Sequence, residues 1–266
     1  CWNLAYEPVR GIACISEVWT PTGGHETITY GDRGDGGHAF PGGELPALPR
    51  VTTHIVEPGF DQPSMEVRYT YSNNNFLGHG ALSDWDDSGA DNLYRVGSIT
   101  FFYESTQQLW NEGLLRREIH RKYNRFHLMV EETTTQGNNR KRVATAYHAD
   151  AKENLSLPFK DQPPYCQMPM TITTSWQHVD NSNAQRSEVV ETWFDDDGNL
   201  TKQVNADGTR EELTYFEIAG EPGLCPKDPE DFKRNLRSRT VYPAASTYGS
   251  APTLRTEYRY TQLSPP

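Results

Sequence analysis

The run with the best ion-binding spacing is Asp84-Trp85-Asp86-Asp87-Ser88-Gly89. Its pattern, D-x-D-x-S-G, opens like a calcium loop, in which carboxylate oxygens surround a hard cation. The twelfth position, where such a loop needs a bidentate Glu, holds Arg95. The principal ligand is missing, so the expectation is an acidic turn whose Asp side chains bond the backbone. The paired acids Glu131-Glu132 and Asp195 with Asp197 suit glycoside hydrolysis only if folding sets two carboxyl groups ~5–10 Å apart across a cleft. His25, His54, His120 and His178 stand singly, and a lone His on a strand reads as a hydrogen-bonded surface group. Gly-x-Ser-x-Gly, HExxH, GxxxxGK[ST] and a dinucleotide fingerprint are all absent from the sequence. Cys1, Cys14, Cys166 and Cys225 include no CxxC pair, which removes the usual zinc spacing. Three disulfide pairings stay open to them, with unpaired thiols the expectation. Arg33-Gly34-Asp35 is a chance match in a glycine-rich run. No catalytic, cofactor-binding or metal residue is assigned, and no cofactor is expected.

Composition narrows the field further. Hydrophobic residues make up only 35%, yet aromatics reach 11% and Tyr alone numbers 14. That mixture suits one-faced sheets with tyrosine-rich faces better than a thick aliphatic core. A net charge of −11 argues against a general nucleic-acid or anionic-membrane binder. No apolar run is long enough for a membrane span. Arg116, Arg117, Arg121, Lys122, Arg125 and Arg140-Lys141-Arg142 form the basic part of this acidic chain. A phosphate patch is one reading; a solvated sheet face pairing with Glu118, Glu131 and Glu132 is the expected one. The chain begins at Cys1 without an initiator Met and is expected to be an excerpt.

The elements that would position these groups are strands. Period-two alternation marks Val51 to Ile55, Met65 to Tyr71, Met170 to Trp176 and Leu254 to Tyr260. Ile12 to Trp19, Glu26 to Tyr30, Ile99 to Tyr103 and Leu236 to Tyr242 read the same way. Leu114 to Tyr123 fits either period; strand is chosen because short connections favour a neighbouring hairpin partner. Residues 31–43, 73–92, 149–169 and 243–252 are connections. Asp228-Pro229-Glu230-Asp231-Phe232 has an N-cap, Pro at the first helical position and acids in the first turn, which predicts a short helix over 229–235 with Phe232 and Leu236 buried. The most informative stretch is Trp193 to Phe216, where Asp195-Asp196-Asp197-Gly198-Asn199 and Asn205-Ala206-Asp207-Gly208 punctuate two short strands. Asp-Gly between extended residues is a hairpin signal because Gly takes positive φ without steric penalty. Tyr123 to Tyr147 repeats this grammar: an aromatic, an Asn, a Leu, a Gly turn and a strand ending in Tyr. Hairpins repeated with a period in the low twenties bury their faces only by stacking.

Phe194-Asp195-x-x-Gly198-x-Leu200, followed by Asp207-Gly208-Thr209 and Tyr215, resembles the YD repeat of the RHS (rearrangement hot spot) family. The copy at 123–147 resembles a diverged unit, with Asn124 in place of Asp and no Gly before Leu128. Tyr69-Thr70-Tyr71 and Tyr258-Arg259-Tyr260 are similar to the strand ends of further units. Ser72-Asn73-Asn74-Asn75-Phe76-Leu77-Gly78 and Asn124-Arg125-Phe126-His127-Leu128 resemble the phrasing of bacterial RHS proteins related to the shell-forming B and C components of insecticidal toxin complexes. The resemblance covers roughly residues 50 to 263. It implies an all-β fold: tandem antiparallel YD-type hairpins in a curved, one-faced sheet over 51–266, part of a larger shell, after a turn-rich β lead-in at 1–50. It further implies a structural, non-enzymatic segment of a secreted or exported toxin, whose partners are neighbouring RHS repeats of the same or a companion chain and an enclosed C-terminal toxic segment. Asp228-Pro229-Glu230 approaches the Asp-Pro-x-Gly element of self-cleaving relatives but lacks the Gly, so that activity is not carried over. The residues expected to matter are Gly198 and Gly208 in the turns and Leu200, Leu213 and Tyr215 on the packed face. Two alternatives remain open: a carbohydrate-binding β module, with Trp176 or Trp193 stacking on a cell-surface glycan, and a β-scaffold hydrolase.

Overall fold

The computed structural model describes residues 1–31, 37–43, 45–249 and 251–263; Arg33-Gly34-Asp35 lies outside them. Among the described residues there are fifteen strands: β1 (Asn3–Val9), β2 (Ile12–Trp19), β3 (His25–Tyr30), β4 (Val51–Glu57), β5 (Met65–Tyr71), β6 (Phe102–Asn111), β7 (Leu114–Asn124), β8 (Met129–Gln136), β9 (Asn139–Tyr147), β10 (Pro169–His178), β11 (Asn181–Phe194), β12 (Leu200–Val204), β13 (Arg210–Tyr215), β14 (Leu236–Tyr242) and β15 (Leu254–Glu257). They form one open antiparallel sheet in which spatial order is sequence order, β1 through β15. Among the described residues the helical elements are three single 3₁₀ turns, at Asn92–Arg95, His148–Asp150 and Phe159–Asp161. The all-β expectation holds, and Leu114–Asn124 is indeed strand. Two compact units divide the chain: 1–144 with 158–160 and 175–186, and 145–157 with 161–174 and 187–266.

In an antiparallel meander, connections after odd-numbered strands leave from one rim and those after even-numbered strands from the other. In the first unit the even connections are tight, such as 20–24, 112–113 and 137–138, whereas 31–50 and 72–101 on the odd side are long. The second unit repeats this, with 205–209 short and 216–235 long. The buried apolar side chains sit almost wholly in the odd connections: Leu77, Leu93, Val96, Phe101 and Phe126 in the first unit, Ala149, Cys166, Phe216 and Cys225 in the second. Leu93, Val96 and Phe101 cluster under Leu82 and Tyr103. Arg125 donates from Nη1 to the Val96 carbonyl at 3.0 Å, and Phe159 stacks on Tyr94 at 3.7 Å. The strand faces, by contrast, are half-exposed. Little of the sheet is covered by a second layer.

Two expectations are corrected. The predicted helix over 229–235 is a turn followed by irregular chain. The Phe232 N–H, which a helix would direct to the Asp228 carbonyl, is taken at 3.1 Å by the Asp228 carboxylate, which also accepts from the Glu230 N–H at 3.0 Å and from Arg234 Nε at 2.7 Å. Asp231 adopts φ +58°. The side chain has outcompeted the helical backbone bond, and Phe232 is left exposed. The strand expected from Ile99 begins only at Phe102, because the Phe101 N–H bonds the Ser98 carbonyl at 3.2 Å and drops Phe101 into the core.

Candidate functional site

The residues singled out in the sequence converge on a recurring five-residue turn. In 195–199, the Asp195 N–H donates to the Asn199 carbonyl at 3.0 Å and the Gly198 N–H to the Asp195 carbonyl at 3.0 Å. The Asp195 carboxylate accepts from the N–H of Asp197 at 3.1 Å and of Asn199 at 2.8 Å. Gly198 supplies φ +79°. This is a type I turn closed by a left-handed residue, the common three-residue hairpin loop. The backbone pattern recurs at Asn205–Thr209, with Gly208 at φ +84°. At Asn124–Leu128 the Asn124 Oδ1 takes the N–H groups of Phe126 and Leu128 at 2.9 and 3.1 Å. Asn replaces Asp there without loss, because the turn needs an acceptor oxygen and not a charge. The missing Gly is replaced by His127 at φ +59°, tethered by Asp91 at 2.8 Å and by the Tyr103 hydroxyl at 3.2 Å. Sequence reading missed a fourth copy, Thr20–Gly24, in which the Thr20 hydroxyl accepts from the Gly24 N–H at 2.8 Å and Gly23 takes φ +89°. Its Thr-x-x-Gly spacing was the available signal.

A tyrosine accompanies the turns. Tyr215 donates its hydroxyl to the Leu200 carbonyl at 3.0 Å, reaching from the end of β13 to the start of β12. Tyr260 does the same to Leu236 at 3.0 Å, Tyr71 to Val51 at 2.9 Å and Tyr30 to Ile15 at 2.9 Å. Tyr30 was not expected from the sequence to belong to this set. The ladder shifts register between Thr29 and Tyr30, Lys122 and Tyr123, Trp193 and Phe194, and Thr214 and Tyr215, so a bulge re-aims each aromatic near its strand end. Burial raises the phenol pKa of Tyr30, Tyr215 and Tyr260, which keeps these hydroxyls as donors. Leu200, Leu213 and Tyr215 are half-buried.

Several of the groups singled out for their chemistry make structural contacts. Asp84 gives both carboxylate oxygens to Arg95, at 3.1 and 3.0 Å; the guanidinium occupies the role a cation would have had. Ser88 N–H caps Asp86 at 2.9 Å and lowers its pKa. No group of three or more His, Cys, Asp or Glu with metal-holding geometry occurs among the described residues. In the basic region, Arg121 pairs with Glu132 at 2.8 Å and Arg142 with Glu131 at 2.7 Å, a cross-strand charge ladder. Tyr103, His127 and Asp91 form a hydrogen-bonded chain, and burial raises the Tyr103 phenol pKa. All four cysteines are free. Of the two tryptophans able to stack on a sugar, Trp193 is covered by Lys202 Nζ at 4.1 Å from its ring centroid. Trp176 lines an open groove and has the Arg186 guanidinium over its ring, 5.2 Å from the centroid.

No protein-family model and no curated protein match this chain. The solved structures similar to this chain include three of related composition. The crystal structure of TcdB2-TccC3-Cdc42 is 11% identical over 86% of this chain and 10% of that one, with a TM-score of 0.33. Those of TcdB2-TccC3 and TcdB2-TccC3-TEV are each 10% identical with a TM-score of 0.18, covering 91% and 92% of this chain and 15% of theirs. This chain thus spans a small part of those proteins' length, and TM-scores this low carry no argument about its architecture or role.

Proposed function

We propose that this chain is a structural RHS-type segment of an exported bacterial toxin, contributing strands to the wall of a β-sheet shell around a C-terminal toxic segment, with no catalytic role of its own. The resemblance of 193–216 to YD repeats motivates the reading, and the recurrence of one turn and one tyrosine contact in both units supports it. The observation that carries it is the state of the sheet's two edges. Natural edge strands are blunted with lysines, prolines or covering loops. Edge strand β1, although it carries Pro8 near its end, exposes Leu4 and Tyr6, with Trp2 just before it (47%, 58% and 64% exposed), and β15, which carries Arg255 and Glu257, is exposed at every residue. Such edges are suited to continuing into neighbouring repeats.

Sedimentation velocity at rising concentration tests the edges: the chain should self-associate, and Leu4→Lys with Tyr6→Lys should return it to monomer. A monomer at about 100 μM, well above a micromolar-range affinity, would sink the proposal. Containment is tested on the product of the whole open reading frame. A segment after the repeats should resist protease until the strands are unfolded, and immediate digestion would count against a shell.

A further inference from the structure

His25 stands where three strands of the first unit meet, at the end of the Thr20–Gly24 turn. Its Nε2 lies 2.8 Å from the Glu17 carboxylate on β2, and its Nδ1 lies 3.1 Å from the Glu57 carboxylate on β4. The ring stacks on Trp19, its direct cross-strand neighbour, with centroids 5.1 Å apart and planes 10° from parallel. An ionised carboxylate only accepts, and a neutral imidazole carries a single N–H. Two such acceptors on the two ring nitrogens are satisfied together only by the imidazolium. His54 and His120 differ, since each reaches a carboxylate through Nε2 alone, Glu26 at 2.8 Å and Glu104 at 3.3 Å, and a neutral tautomer serves. The charged groups that face the His25 ring are Glu17 from β2 and Glu57 from β4. On its own strand the next residue, Glu26, points to the other face of the sheet and is bonded to His54.

The position of this contact gives it leverage. The ladder between β2 and β3 is short: Glu17 pairs with Thr27, Val18 with Glu26 and Trp19 with His25. From Ile12 to Ile15, β2 is paired with edge strand β1 alone. Away from the turn, the Tyr30 hydroxyl on the Ile15 carbonyl at 2.9 Å supplements that ladder; beside the turn, His25 closes it and reaches on to β4. We propose that His25 is a proton-operated clasp, which as an imidazolium ties β2 and β4 to β3 at once, and which on losing its proton releases one carboxylate and loosens the β1–β2 hairpin. The hydrogen bonds to Glu17 and then to Glu57 raise the pKa of the ring above 6.5. A raised folded value means that the clasp contributes fully below 6.5 and is lost as pH rises through the folded pKa. All three side chains are partly exposed, so the change in the ladder is modest and local. The clasp does not depend on the shell reading, and either can fail without the other.

The test uses the full chain. Imidazole ring shifts followed by NMR against pH, with the His25 signal assigned by its loss in His25→Gln, should give a His25 midpoint above 6.5. Glu17→Gln and Glu57→Gln should each lower that midpoint, because an amide in place of either carboxylate removes the charge that favours the proton, and both should leave the His54 titration where it was. Amide exchange reads the mechanical consequence on the unsubstituted chain. With the intrinsic rate at each pH divided out, protection across Glu17 to Thr27 should fall about two- to fivefold between pH 6 and pH 9, the range expected for exposed ion pairs. Protection across β6 and β7 should hold over the same range, and in His25→Gln the fall across Glu17 to Thr27 should disappear. A His25 midpoint at or below 6.5, a midpoint that neither Glu substitution moves, protection across β2 and β3 that ignores pH, or the same fall in His25→Gln would each overturn the clasp.

Discussion

The connection at 72–101 and the hairpins at 193–216 hold themselves together in opposite ways. The connection buries side chains: Leu93 is fully enclosed and Val96 and Phe101 nearly so, with the Arg125 head anchored on the Val96 carbonyl. The hairpins bury little, and their strands β12 and β13 are half-exposed throughout except for Thr214, which is exposed. They are held by ladder bonds, two left-handed glycines and the Tyr215 hydroxyl. A single-layer sheet cannot use its own faces as a core, so the apolar burial that folding requires moves into the excursions at one rim. The strands then only need correct register.

That division of labour makes graded predictions. Leu93→Ala should cost about 2–5 kcal/mol in urea unfolding, since it opens a cavity in the densest part of the chain, while Leu213→Ala on a half-buried strand face should cost less than half as much. Equal losses would erase the distinction. Gly208→Val comes next: φ +84° excludes a β-branched side chain, and its Cβ would stand 3.3 Å from that of Ala244, so a loss of about 1–3 kcal/mol is expected. An unchanged melting temperature would show that the turn does not set the hairpin. Tyr215→Phe removes one hydroxyl bond and leaves the Leu200 carbonyl unsatisfied, an effect of about 0.5–1.5 kcal/mol. Amide exchange should speed up at the start of β12 and not in 72–101. The smallest effect concerns acid. Asp86 and Asp207 each sit below the ordinary carboxylate pKa of 3.8, Asp86 through the Ser88 backbone and side chain and Asp207 through the hydroxyl and backbone of Thr209. A lowered folded pKa means the contribution is present above 3.8 and lost as pH falls through the folded value. The amide shifts of Ser88 and Thr209 should titrate with midpoints under 3.8, without a matching change in global stability because both carboxylates are exposed. A midpoint at or above 3.8 at either residue would contradict the capping bond there.

The two regions also differ in how much the sequence disclosed. The hairpins were legible because turn chemistry is local: Gly198 and Gly208 each need only their own φ, and Asp195 bonds amides two and four residues on. The diverged copy was harder, since nothing within five residues of His127 announces the Asp91 and Tyr103 contacts that hold a non-glycine residue at φ +59°. The core of 72–101 was illegible for the same reason in stronger form, because its burial depends on segments as distant as Phe159, which stacks on Tyr94. At 228–232 local signals pointed the wrong way, since a good N-cap carboxylate is equally good at closing an Asx turn.

The strictly sequential strand order has a mechanical consequence. Because no connection crosses another and each strand is bonded only to those before and after it in the chain, nothing is threaded or trapped. Pulled from either terminus, the sheet can peel one hairpin at a time, each step breaking a short row of bonds in succession and not a whole interface in shear. The same property lets strands add in the order in which they are synthesised, with short loop closures at every step.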